Sequence, residues 1–177
     1  PADPPPDICA TYCIEMTKAC TGANRQYRSE EECRSACALL PPGTPDDVQQ
    51  NTVGCRLKQA RAAQCLAAGP YGGETCGSRC EAYCEIVEKN CIAKLGAPNA
   101  PYASKSDCLE SCGRDYTFDP AVGEGPDIPF LAGDNLNCRE HHLVLAISDP
   151  SGHCGHAGPK SPTCFTADAG ASDAASD

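Results

Sequence analysis

The chain has 177 residues, sixteen of them cysteine, with 14 basic and 24 acidic side chains and a formal charge of −10. Three Phe, six Tyr and no Trp, against 16 Gly and 16 Pro, leave little for a conventional core, so cross-links must replace much of the missing burial. The acidic balance disfavours nucleic acid and anionic membranes as partners, because phosphates are repelled. No stretch reaches the 18 or more apolar residues of a membrane span.

Residues 1–6 are Pro-rich and read as an extended segment at the start of a processed chain. After them the cysteines fall at 9, 13, 20, 33, 37, 55, 65 and 76, then at 80, 84, 91, 108, 112, 138, 154 and 164. Metal clusters in a reducing compartment would call for Cys-x2-Cys spacing, which occurs nowhere in the chain. Disulfides in an oxidising location are the simpler reading: extracellular, cell surface or periplasm.

The two sets of eight repeat the same spacings. Each begins Cys-x3-Cys-x6-Cys and later repeats Cys-x3-Cys. Tyr12-Cys13 matches Tyr83-Cys84, Tyr27-x-Ser29 matches Tyr102-x-Ser104, and Cys55-Arg56 matches Cys138-Arg139. This predicts two tandem units, residues 7–77 and 78–165, followed by a flexible acidic tail over 166–177.

Each unit is expected to be a disulfide-stapled helical hairpin with long loops, making the chain mostly α. Ile8, Cys9, Tyr12, Cys13, Met16 and Cys20 recur at three- and four-residue steps, as do Cys80, Tyr83, Cys84, Val87, Cys91 and Leu95, the period of a helix face. Ser29 with Glu32 predicts a capping box for the second helix, with Glu30, Glu31 and Glu32 in its first turn. Ser104 with Asp107 is a weaker version in the second unit. A third helix is expected from about Cys55, and again from about Cys138.

Cysteines one turn apart on antiparallel helices predict the nested pairs Cys9–Cys37 and Cys13–Cys33, then Cys80–Cys112 and Cys84–Cys108. For the rest, Cys20–Cys55 and Cys91–Cys138 would tie the third helix to the first, leaving Cys65–Cys76 and Cys154–Cys164 as local loops. Eight cysteines allow 105 connectivities, so these assignments rest on helix geometry alone.

The run Cys20-Thr-Gly-Ala-Asn24-Arg-Gln-Tyr27-Arg-Ser29-Glu-Glu-Glu32-Cys33-Arg-Ser-Ala-Cys37 resembles the C-terminal part of a Kunitz-type inhibitor domain, which carries Asn-x-aromatic-x-Ser/Thr before a final helix with Cys-x3-Cys. The resemblance implies that both helix cysteines bond to earlier ones. It covers residues 20–37 only; the family's first strand and reactive-site loop have no counterpart, and no inhibitory residue carries over. As a whole, the chain is similar to exported, cysteine-rich, duplicated bacterial proteins of unassigned role.

Enzyme chemistry finds no foothold. Cys-x-x-Cys and Cys-x-x-Cys-His are absent, which removes thioredoxin-like and haem-attachment readings. Ser151, His142 and Asp149 have no nucleophile elbow around them. All four histidines, His141, His142, His153 and His156, lie in the second unit, where the first has Lys58, Gln59, Gln64 and Ala67. His153 and His156 bracket Cys154, and a link from Cys138 or Cys164 brings the His142 helix alongside. Three converging neutral imidazoles at His142, His153 and His156 suit copper or zinc.

Between Cys112 and Cys138 lie 25 residues, against 17 between Cys37 and Cys55. Tyr116, Phe118, Phe130 and Leu131 in this longer loop form a candidate partner-binding surface; the alternative is that the loop folds back over the joint between the units. The sequence therefore describes a non-catalytic exported structural or binding protein acting on another protein or on copies of itself. Metal binding through the second unit's histidines is the alternative, and a protease-inhibitor-like or toxin-like ligand a further one. No other cofactor is implied.

Overall fold

Helix starts follow short polar caps. A computed structural model describes residues 7–96, 98–128 and 134–164; the expected N-terminal segment 1–6 and tail 166–177 lie outside the described residues. In α1 (Ile8–Ala19) the Asp7 carboxylate accepts the Cys9 N–H at 3.0 Å, and Lys18 sits in the last turn where the helix dipole favours a cation. Ser29 caps α2 (Glu30–Cys37) by accepting from the Glu32 N–H, with Glu30, Glu31 and Glu32 in the first turn. The expected reciprocal box is displaced by one residue: Glu32 accepts the N–H of Arg28 at 2.5 Å and holds its Nε at 2.8 Å. That ion pair outcompetes the Ser29 amide for the carboxylate.

Thr52 caps α3 (Val53–Arg61), which is followed by the short α4 (Cys65–Ala68). A full capping box, Ser78 with Glu81, opens α5 (Arg79–Ile86), which continues through a π-helical stretch (Val87–Ile92) into α6 (Ala93–Leu95). Ser104 caps α7 (Lys105–Asp115), Asn135 caps α8 (Leu136–Ser148), and Asp149 caps α9 (Pro150–His153), which runs into a 3-10 turn (Cys154–Ala157). The chain is mostly α, and no strand occurs among the described residues.

Every cysteine is bridged. The nested pairs close as expected: Cys9–Cys37 with Cys13–Cys33 zip α1 to α2, and Cys80–Cys112 with Cys84–Cys108 zip α5 to α7. The other four expected bridges are wrong. Cys20 pairs with Cys65 and Cys55 with Cys76, while Cys91 pairs with Cys154 and Cys138 with Cys164. A helix the length of α3 separates its ends by roughly 13 Å, whereas a bridge spans about 6 Å between Cα atoms. Only one end of α3 can therefore reach Cys20. That is the C-terminal end, where α4 delivers Cys65, and it leaves Cys55 facing the loop that carries Cys76. In both sets of eight, the bridges join the first cysteine to the fifth, second to fourth, third to seventh and sixth to eighth.

A second pattern recurs beside the sulfurs. Arg56 and Arg139 are fully buried. Arg56 donates to the carbonyls of Thr52, Gly69 and Pro70 and to Asn51 Oδ1, at 2.8–3.1 Å. Arg139 donates to the carbonyls of Asn135 and Gly158 and to Asp134. Tyr12 Oη donates to the Ala68 carbonyl and meets Tyr27 Oη, as Tyr83 and Tyr102 both donate to the Ala157 carbonyl. Each buried arginine thus holds the chain one residue beyond the carbonyl that the tyrosines hold. These bonds satisfy backbone groups that the short α4 and the 3-10 turn would otherwise leave unmet.

The two halves share one apolar core. At their joint Tyr71 Oη donates to the Glu140 carbonyl at 2.6 Å, and its ring lies 6.4 Å from that of Tyr83. The segment before α8 folds back across this joint: Arg25 and Asp127 pair at 2.7 Å, and Glu124 is buried against Arg79.

Candidate metal centre

Three histidines reach one point from two directions. His142 stands four residues after Cys138 on α8, so it shares the face that the Cys138–Cys164 bridge fixes. His153 closes α9 and His156 sits in the following 3-10 turn. The Cys91–Cys154 bridge anchors this stretch between the two rings. The tight turn from α8 into α9 is held by Asp149, whose carboxylate accepts the Gly152 N–H at 3.0 Å. That bond also occupies the acid of the Ser151, His142 and Asp149 set.

One ring nitrogen from each of His142, His153 and His156 lies within 4.8 Å of the others. His142 Nδ1 and His153 Nδ1 are 3.4 Å apart, and the rings of His142 and His156 meet edge to face at 4.8 Å. Three nitrogens bound to a tetrahedral ion at about 2.0–2.1 Å stand about 3.3 Å from one another. The closest pair already has that spacing, and small χ rotations suffice for the rest. His142 is buried, whereas His153 and His156 are half-buried, which leaves one side open to a fourth ligand.

The electrostatics suit a cation. Burial first, then the neighbouring His156, His141 and His153, depress the His142 pKa to about 4. Burial and His153 lower that of His156. Imidazoles that resist protonation keep their lone pairs for a metal at neutral pH. His156 Nδ1 is buried with no hydrogen-bond partner among the described residues. The sulfurs of Cys138 and Cys164 also lie within 4.8 Å of a His142 ring nitrogen, but they are bonded to each other.

The other expected site residues go elsewhere. The Tyr116 ring lies 3.9 Å from the Arg139 guanidinium carbon and its hydroxyl 3.0 Å from Tyr102 Oη. Phe118 covers Arg79, with 3.4 Å between guanidinium carbon and ring centre. Both aromatics are half-buried and pack on the core. Phe130 and Leu131 lie outside the described residues. His141, beside His142 in sequence, lines a cavity at the joint instead of joining the trio.

Sequence reasoning missed the buried group Arg79, Glu124 and Glu140. A signal for it existed in the register: Arg79 precedes Cys80 where Ile8 precedes Cys9, and Glu140 follows Arg139 where Leu57 follows Arg56. Two apolar positions of the first half are thus replaced by opposite charges in the second.

Residues 6–79 match the model of the BfoA family C-terminal domain. The matched stretch contains the first eight cysteines and Arg56, covers less than half of the chain, and ends before the histidines. No curated protein and no solved structure matches the chain. Neither the family match nor the mostly helical fold supports the Kunitz resemblance, which reduces to a capped helix bearing Cys33 and Cys37.

Proposed function

We propose that this protein is a non-catalytic, disulfide-hardened binding protein of an oxidising compartment, and that it holds a divalent transition-metal ion, zinc or copper, on His142, His153 and His156. The observation that carries this reading is the convergence of three ring nitrogens within 4.8 Å. Supporting it, each ring comes from a segment pinned by a disulfide, so the ligands are preorganised and little ordering entropy opposes binding. Imidazole nitrogens suit zinc and copper, whereas magnesium and calcium prefer oxygen.

Two further statements accompany this reading. The chain consists of two tandem units, 7–77 and 78–165, a view supported by the identical order of bridges and the matched arginine and tyrosine contacts. The metal site belongs to the second unit alone, since Gln59, Gln64 and Ala67 stand at the matching places. An extracellular, cell-surface or periplasmic location is supported by full oxidation of the cysteines; among the described residues no helix is long and apolar enough to cross a membrane.

Isothermal titration with zinc chloride and with copper sulfate tests the site. One equivalent is expected to bind the native protein, and none to bind a His142→Ala, His153→Ala, His156→Ala variant whose far-UV circular dichroism is unchanged. Identical heats from the two proteins would remove the site.

A further inference from the structure

The segment that folds back across the joint is held at two places and buries an acid between them. Asn137 Nδ2 donates to the carbonyls of Asp119 and Gly123 at 3.0 and 2.7 Å, which seats the start of the segment on α8. Two residues on, Gly125 lies so close to the first half that an added Cβ would fall 2.4 Å from the Arg25 carbonyl oxygen, and Asp127 pairs with Arg25. Gly123 and Gly125 have φ of 75° and 118°, conformations that suit glycine. Between them Glu124 turns inward towards Gln26; the two side chains are 5% and 2% exposed.

Gln26 Oε1 and Glu124 Oε1 are closed off from solvent and have no hydrogen-bond donor among the described residues. They converge over Gly69, where an added Cβ would fall 2.4 Å from one and 2.6 Å from the other, a placement compatible with an O–H···O bond of about 2.7 Å. Turning the Gln26 amide over would give Glu124 a donor, but it would take Nε2 from the Asn24 carbonyl, 3.2 Å away, and set an oxygen there instead. The charged neighbours supply no donor either. Arg79 on α5 contacts the other oxygen of Glu124 and, at 3.3 Å, both oxygens of Glu140 on α8. Arg56 on α3 gives its hydrogen bonds to carbonyls and Asn51. Glu74 accepts the Arg79 backbone N–H at 3.1 Å and adds only negative charge. Tyr12 and Tyr71 stay neutral because burial raises their pKa. Across the neighbouring cavity Arg28 is held by Glu32, and burial lowers the His141 pKa, so that ring is neutral too.

We infer that Glu124 keeps its proton at neutral pH and donates it from Oε1 to Gln26 Oε1, so that the joint between the halves closes through a proton-dependent clasp. A protonated carboxyl is the one form of Glu124 that supplies a donor, and its other oxygen still accepts from Arg79, which then faces the single charge of Glu140. Burial raises the pKa of both acids, and the charge of Glu124 raises that of Glu140 further, against the lowering by Arg79. Arg79 meets both oxygens of Glu140 but only one of Glu124, so Glu124 Oε1 is where a proton gains an acceptor. Loss of this proton leaves a buried charge and two facing acceptors across the joint. The folded chain thus holds a proton that the unfolded chain, with an ordinary Glu pKa of about 4.3, has released. The clasp's stability is complete below that value and is lost as pH rises to and through the raised folded value.

Carbon-13 NMR titration of the Glu124 side-chain carboxyl, assigned through its own backbone in the native protein, tests the inference without any variant. The expected midpoint lies above pH 7. A midpoint below 7 would overturn the inference, both where Glu140 holds the proton instead and where the Gln26 amide is turned over and Glu124 is ionised. Guanidinium unfolding with disulfides intact gives a second reading against Glu124→Gln, whose amide can donate to Gln26 at every pH. The unfolding constant of the native protein, divided by that of the variant, is expected to rise about tenfold per pH unit between pH 5.5 and 7, the mark of one proton held by the folded chain alone. A ratio that stays constant across that range would equally overturn the clasp.

Discussion

Arg79 is the cation on which the joint between the halves depends, and Arg79→Met tests that dependence. The substitution keeps an unbranched apolar stem under Phe118 but removes the guanidinium that contacts Glu124 and, at 3.3 Å, both oxygens of Glu140. All three side chains are buried. Removing one member of a buried charge group typically costs about 3–5 kcal/mol, because the remaining charges stay desolvated and unpaired. At about 2–4 °C per kcal/mol for a chain of this size, the melting midpoint should fall by roughly 6–20 °C at neutral pH. The loss should also depend on pH, with a definite sign. Burial raises the pKa of Glu124 and of Glu140 above the ordinary carboxylate value, against the lowering effect of Arg79. Without Arg79 both rise further, so the folded variant holds more protons than its unfolded chain, and stability falls as pH rises above the ordinary carboxylate range. Below that range both states are protonated and the variant should approach the native protein. Guanidinium unfolding with disulfides intact, followed at 222 nm at pH 4 and pH 7.5, measures this. A deficit below about 1 kcal/mol at pH 7.5, or an equal deficit at both pH values, would refute the reasoning.

Two other outcomes are expected. His142 has a folded pKa near 4, below its unfolded value, so it contributes stability that is complete above about pH 6.5 and is lost as pH falls toward 4, on the order of a few kcal/mol. His142→Gln, which places the amide found at Gln59, should flatten this acid-side loss in thermal melts between pH 4 and 7; an unchanged profile would exclude His142 as its source. Peptide mapping under non-reducing conditions should recover Cys20 linked to Cys65 and Cys91 linked to Cys154. Recovery of Cys20 with Cys55 would instead place the first turn of α3 beside the end of α1.

What could be read from the sequence was local. Cysteines four apart on a helix share a face, so the nested bridges of each hairpin follow from spacing alone, as do the caps at Ser29 and Ser104. The three histidines were legible as candidates because two of them bracket a cysteine that must be tied down. What the sequence could not carry was direction. Whether α3 brings its first or last turn to the end of α1 decides two bridges, the matching choice for α8 decides two more, and no residue spacing encodes the sense in which two helices lie together. The same limit hid the joint: Gln26, Gly69, Glu124 and Glu140 are far apart along the chain, and they meet only because the segment before α8 folds back over Tyr71 and Arg79. Short-range periodicity wrote the helices and their first staples, while long-range packing chose the remaining bridges and brought the buried charges and the cavity into being.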